Sequence, residues 1–146
     1  MTTVASEEEI AKEAAAAMWA DDRACRDLAM RLDHVAAGVA VLSMPVTETM
    51  ANGHGLCHGG YVFTLADSAF AYACNSRGQR HVAQACQISY VSPGRLGMRL
   101  SADARERQRG ERSGIYDVTV RDETGAVIAE FRGTSRAIAG SLLGKG

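Results

Sequence analysis

The sequence predicts an α+β domain in which one long apolar helix packs against an antiparallel sheet of five or six strands, with helices at the N-terminus. Three observations carry that expectation. Residues 60–75 form an almost wholly apolar run of helical length; several segments of alternating apolar and polar residues follow it; turn residues separate those segments. A chain of 146 residues that is 47% hydrophobic suits one compact domain spanning 1–146, with a helical segment at 1–32 and a flexible glycine-rich tail at 140–146.

The elements follow in order. Ser6-Glu7-Glu8-Glu9 has the S-x-x-E form of a capping box, and Ile10, Ala14 and Met18 recur at helical spacing behind it, so a helix is expected over 7–19. Asp21 or Asp22 can cap a second, short helix carrying Cys25, Leu28 and Ala29. From Val35 to Thr47 small and β-branched residues dominate and Pro45 stands near the end, which reads as a first strand. A loop over 50–58 leads into the long helix, expected from Gly60 to Asn75 with Gly78 as a left-handed cap. Four strands are then expected at 81–91, 98–108, 113–121 and 127–138, arranged as a meander. Leu100, Ala102 and Ala104 alternate with polar neighbours, as do Tyr116, Val118 and Val120, the pattern of a sheet with one wet face.

Composition narrows the partners. Sixteen basic and 17 acidic residues leave a formal net charge of −1, so no global field draws the protein to nucleic acid or an anionic membrane. The first twenty residues carry Glu7, Glu8, Glu9 and Glu13, lack the pattern of a signal peptide, and no apolar run reaches membrane-spanning length; a cytoplasmic location is expected. Cys25, Cys57, Cys74 and Cys86 form no CxxC pair and read as free thiols. His54, Cys57 and His58 crowd one loop without a second ligand pair elsewhere, so no metal is expected.

The candidate chemistry lies between Asn52 and Ser76. Asp67 is the single charge of the apolar helix, and an ionised carboxylate in such surroundings is costly without a partner or a task. Gly59 and Gly60 can bring bare backbone N–H groups to the helix start, where the dipole favours a developing negative charge. Gly59 and Asp67 are eight residues apart, about 12 Å along a helix axis. One helix cannot present both to one carbonyl carbon, so a shared reaction needs Asp67 of one subunit to face the helix start of another. The alternative is that Asp67 accepts a hydrogen bond from Ser68, Asn75 or a partner chain and only fixes helix pairing. His58, directly before Gly59-Gly60, can brace the turn or polarise a bound group; Asn52 can hold a water or simply shape a turn; His54 reads as scaffolding. The arginines at 99, 105, 107, 109 and 112 suit either a solvated strand face or a phosphate-bearing substrate.

Asn52-Gly53-His54, Cys57-His58-Gly59-Gly60, Leu65-Ala66-Asp67 with Ala69-Phe70-Ala71, and Asn75-Ser76 resemble the signature of the hotdog-fold acyl-CoA thioesterases, most closely the PaaI type of phenylacetic acid degradation. Looser similarity extends over residues 50–138. The resemblance implies a long helix wrapped by a curved sheet, homodimers that pair their sheets, and commonly homotetramers built as dimers of dimers. It implies hydrolysis of an aryl-acetyl-CoA, phenylacetyl-CoA or hydroxyphenylacetyl-CoA, to the free acid and coenzyme A. By carry-over Asp67 is the base or nucleophile, the Gly59 N–H of the neighbouring subunit polarises the thioester carbonyl, and Asn52 and His58 support the pocket. No cofactor is implied, coenzyme A being part of the substrate. A medium-chain acyl-CoA thioesterase, an acyl thioester hydratase of the same fold and a non-catalytic acyl-CoA binding protein are the competing readings.

Overall fold

The computed structural model describes residues 4–144. Two helices open the chain: α1 (Glu7–Asp21) and α2 (Arg23–Asp27). The expected capping box is present, with the Ser6 hydroxyl accepting from Glu9 N–H and the Glu9 carboxylate accepting from Ser6 N–H. Asp22, between the helices, caps α2 through Oδ1 and accepts the Tyr72 phenol on Oδ2 at 2.9 Å, which pins the N-terminal segment onto the central helix.

Residues expected to form one strand over 35–47 instead form a hairpin of β1 (Arg31–Ala36) and β2 (Val39–Pro45). Gly38, with φ of +74°, makes the turn, a conformation that costs a side-chain-bearing residue about 1 kcal/mol or more. A short 3-10 turn (Glu48–Met50) and a loop lead to α3 (Gly59–Cys74), one residue earlier than expected at each end. Gly78, at φ +90°, ends the turn after it.

Four strands complete the chain: β3 (Gln79–Tyr90), β4 (Arg99–Arg109), β5 (Ser113–Arg121) and β6 (Val127–Ser141). All six strands form one antiparallel sheet in the order β1-β2-β4-β5-β6-β3. The expected meander therefore holds for β4, β5 and β6 only. After crossing the sheet, α3 delivers β3 to the far edge, where it pairs with β6 and leaves its other side open. β6 also runs on to Ser141, into the region expected to be a flexible tail, and the Gly144 N–H donates to Glu13; residues 145–146 lie outside the described residues.

The core sits between α3 and the sheet. Leu100, Ala102, Ala104, Tyr116, Val118 and Val120 are all buried, as their alternation predicts. Phe70 stacks on Tyr116 and Phe131, and Phe63 on Phe131. α3 is not buried all round: Gly60, Thr64, Asp67, Ser68 and Ala71 form an open or half-buried stripe of small residues along the side turned from the core. Among the described residues no helix is long and apolar enough to cross a membrane.

Candidate active site

The loop before α3 is held by backbone bonds on both flanks. Cys57 N–H donates to Gly94 O, His58 N–H donates to Met50 O, and Leu56 forms a bridge with Arg95. Asn52 closes a tight turn inside this loop: its Oδ1 accepts from His54 N–H at 2.9 Å and from Leu56 N–H at 3.2 Å. Its carboxamide oxygen is thus spent on the backbone. His54 is exposed and contributes only its N–H to that turn.

His58 is the N-cap of α3. Its Nδ1 accepts from Gly60 N–H at 3.0 Å, so Nδ1 is the unprotonated nitrogen of the neutral ring and Nε2 carries the hydrogen, available as a donor. Tyr61 N–H is taken by His58 O. The Gly59 N–H, by contrast, has no acceptor among the described residues. The first turn of α3 therefore presents one unclaimed backbone donor, at the end of the helix where the dipole is positive.

Tyr90, the last residue of β3, lies over that glycine. Its hydroxyl donates to Gly59 O at 2.9 Å, and a Cβ at position 59 would stand 3.0 Å from the ring. A side chain at 59 would require the phenol to shift by a few tenths of an ångström. Cys57, Gly59, Val62, Tyr90, Val91 and Ile128 line a mostly apolar cavity of about 390 Å³ beside the free donor.

Asp67 is two helical turns further on and half-buried. Burial raises its carboxyl above the usual carboxylate value, and a hydrogen bond from Cys86 partly opposes the rise. That thiol, on β3, lies 3.9 Å from Oδ1 and is the one side-chain donor to Asp67 among the described residues. Neither intrachain partner expected for Asp67 holds it. The Ser68 hydroxyl donates to Thr64 O at 2.7 Å, and the Asn75 carboxamide donates to Ala71 O and His81 O. Cys86 is a free thiol, as expected, but it is exposed in the protomer and beside the carboxylate. The alternation of Val82, Cys86 and Ile88 was the only signal for its direction, and an internal bulge at Gln84 obscures it.

Among the aromatic side chains near the site, Phe70 and Phe63 pack into the core, whereas Tyr90 stands at the cavity. Three of the hairpin arginines are engaged within the chain: Arg99 with Ser43, Arg105 with Asp103, Arg107 with Asp117.

The sequence matches the thioesterase superfamily over residues 54–129, which includes both α3 and β3. It is 43% identical to the acyl-coenzyme A thioesterase PaaI of Escherichia coli (strain K12) over 129 residues, covering 88% of this chain and 92% of that protein. The solved structure of the E. coli PaaI protein from the phenylacetic acid degradation operon superposes with a TM-score of 0.91 at 42% identity, over 93% of this chain and 99% of that one. A Streptococcus mutans protein solved with acetyl-CoA bound superposes with a TM-score of 0.73 at 27% identity, over 75% of this chain and 89% of that one. With the hotdog arrangement of helix and sheet in place, the chain belongs to the thioesterase superfamily and is a thioester hydrolase.

Proposed function

We propose that the protein hydrolyses acyl-CoA thioesters, with an aryl-acetyl-CoA as preferred substrate, at a site shared between two copies of the chain. The unclaimed Gly59 N–H carries this reading. It is a preorganised donor with no structural duty, and the one carboxylate of the same helix lies too far along the axis to act on the same carbonyl.

A second copy supplies the match. β3 is an edge strand, and Val82 and Tyr90 on it and Val91 just beyond are among the exposed large apolar residues. Along β3, Tyr90 touches Gly59 and Cys86 touches Asp67. Four strand residues span about 13 Å and eight helix residues about 12 Å, so the two elements run in step. Antiparallel pairing of two β3 strands about Ile88 sets Tyr90 opposite the partner's Cys86, and with it Gly59 opposite the partner's Asp67. The small-residue stripe of α3 faces the same way, leaving room for the partner helix. Two such dimers form the tetramer.

In this site Asp67 takes a proton from water, whose oxygen attacks the thioester carbonyl; the Gly59 N–H of the other subunit holds the oxyanion. Collapse breaks the carbon–sulfur bond and releases the acid, while the proton passes to the coenzyme A thiolate. Attack by Asp67 itself, followed by hydrolysis of the anhydride, uses the same geometry. The cavity beside Gly59, walled by Tyr90, Val62 and Ile128, suits an aromatic acyl group. His58 and Asn52, exposed residues of the loop before α3, are assigned as supporting donors through the His58 Nε2–H and the Asn52 amide.

Subunit mixing tests the shared site. Asp67→Asn and Gly59→Pro homo-oligomers are each expected to be inactive toward phenylacetyl-CoA. Unfolded and refolded together in equal amounts, they should recover about a quarter of wild-type activity, because half the dimers are mixed and each carries one intact site. No recovery from a correctly assembled mixture sinks the reading.

A further inference from the structure

The surroundings of Asp67 are unusual for a half-buried carboxylate, because no side-chain cation and no hydroxyl hydrogen-bonds to it among the described residues. Its neighbours are thiols. Cys86 on β3 donates at 3.9 Å; Cys25 on α2 and Cys74 on α3 are close enough to feel its charge, and burial pushes both of those thiols up to about 12. Cys86 is likewise held above the usual thiol range, by burial first and then by Asp67 itself. At neutral pH all three are therefore uncharged. The stronger donors nearby are spent elsewhere, Ser68 on Thr64 O and Asn75 on two backbone carbonyls.

A thiol is among the weakest hydrogen-bond donors of a protein. A hydroxyl or guanidinium at this place would steady the anion and weaken it as a base; an empty place would leave the carboxylate free to turn and to stay protonated. We propose that Cys86 is a positioning residue for the hydrolysis: its thiol, aimed from the edge strand at Asp67, fixes the carboxylate's orientation and sets the pH range over which it acts. This rests on Asp67 being the catalytic carboxylate.

The test is the pH profile of kcat/KM for phenylacetyl-CoA in the full-length oligomer. Cys86→Val keeps the bulk and removes the donor, Cys86→Ser keeps a donor and loses bulk, and Cys86→Ala loses both. If the thiol acts by donating, the acid-side midpoint moves up by roughly half a pH unit or more in the Val and Ala variants. In the Ser variant it stays at the wild-type position or moves below it. If the Val and Ala variants keep the wild-type midpoint, or the Ser variant shifts upward with them, the proposal is overturned. Asp67→Asn separates the two layers: a fully active Asp67→Asn enzyme removes the premise, whereas an inactive one with unmoved Cys86 profiles removes only the role of the thiol.

Discussion

The Tyr90 hydroxyl donates to the carbonyl of Gly59 at 2.9 Å, and its ring occupies the space a side chain at 59 would need. The edge strand thereby holds the first peptide of α3 while leaving its N–H unclaimed. That separation of duties makes the donor testable without destroying the helix.

Gly59 is the first helical position, where proline is well tolerated, and His58 before it is already extended at φ −60° and ψ 134°. Gly59→Pro therefore deletes the N–H with little backbone conflict, the ring of Tyr90 being exposed enough to yield. Losing one oxyanion donor is expected to lower kcat by about 10²–10³. Circular dichroism should show α3 retained. Adding Tyr90→Ala relieves the crowding and should restore stability but not turnover.

Asp67→Asn should lower kcat by about 10²–10⁴ as a lost general base. Its effect on stability has the opposite sign. The native carboxyl is raised above 3.8, so between that value and the raised one the folded chain holds a proton more tightly than the unfolded chain, and stability falls as pH rises through the interval. The amide escapes this loss. The variant should melt above wild type at neutral pH, with the difference vanishing below about pH 3.8, measured by thermal scans across pH.

How much of this was legible beforehand depends on what a pattern encodes. Alternation in Leu100-Ala102-Ala104 and Tyr116-Val118-Val120 reports which face of a strand is buried, and those positions are core. It says nothing of a strand's neighbour, so β3 was placed beside β4 although α3 carries it to the far edge next to β6. Gly38 lies among small apolar residues that read equally well as one strand, and its positive φ marks the hairpin only in the structure. That Gly59 and Asp67 cannot serve one carbonyl from a single helix follows from helix rise alone, and the proposed sharing of the site between subunits is built on it. Tyr90 and Cys86 were hidden because they meet those residues across a chain separation of 31 and 19, set by the helix crossing rather than by any local motif.

His58 combines a structural and a chemical role that substitution can part. Its Nδ1 caps Gly60 N–H, and asparagine supplies an equivalent oxygen at an N-cap. His58→Asn should thus keep the melting temperature near wild type, whereas His58→Ala should lose about 1 kcal/mol. Both lack the Nε2–H. If that group supports the bound thioester, the two variants share the same drop in kcat/KM despite their different stabilities; turnover that tracks stability assigns the ring to the cap alone.

Ala29 is the one non-glycine residue with positive φ among the described residues, at 56°. It follows α2, and the bonds around it define its role: Met30 N–H donates to Cys25 O at 2.9 Å and Ala29 N–H to Arg26 O at 3.0 Å, the paired bonds of a Schellman motif with Ala29 at the left-handed position. Alanine there carries a Cβ strain of about 1 kcal/mol that glycine avoids. Its methyl is exposed, so little packing is lost on removal. The greater freedom of unfolded glycine offsets part of the gain. Ala29→Gly should therefore stabilise the fold by about 0.5 kcal/mol, seen as a rise of roughly 1–2 °C in Tm. Because α2 carries Cys25 toward Asp67 and Asp22 toward Tyr72, a firmer end to this helix should leave the pH profile of turnover unchanged while raising the melting point. A loss of stability instead would mean that the left-handed turn is held by contacts of the methyl rather than endured for the sake of the chain's path into β1.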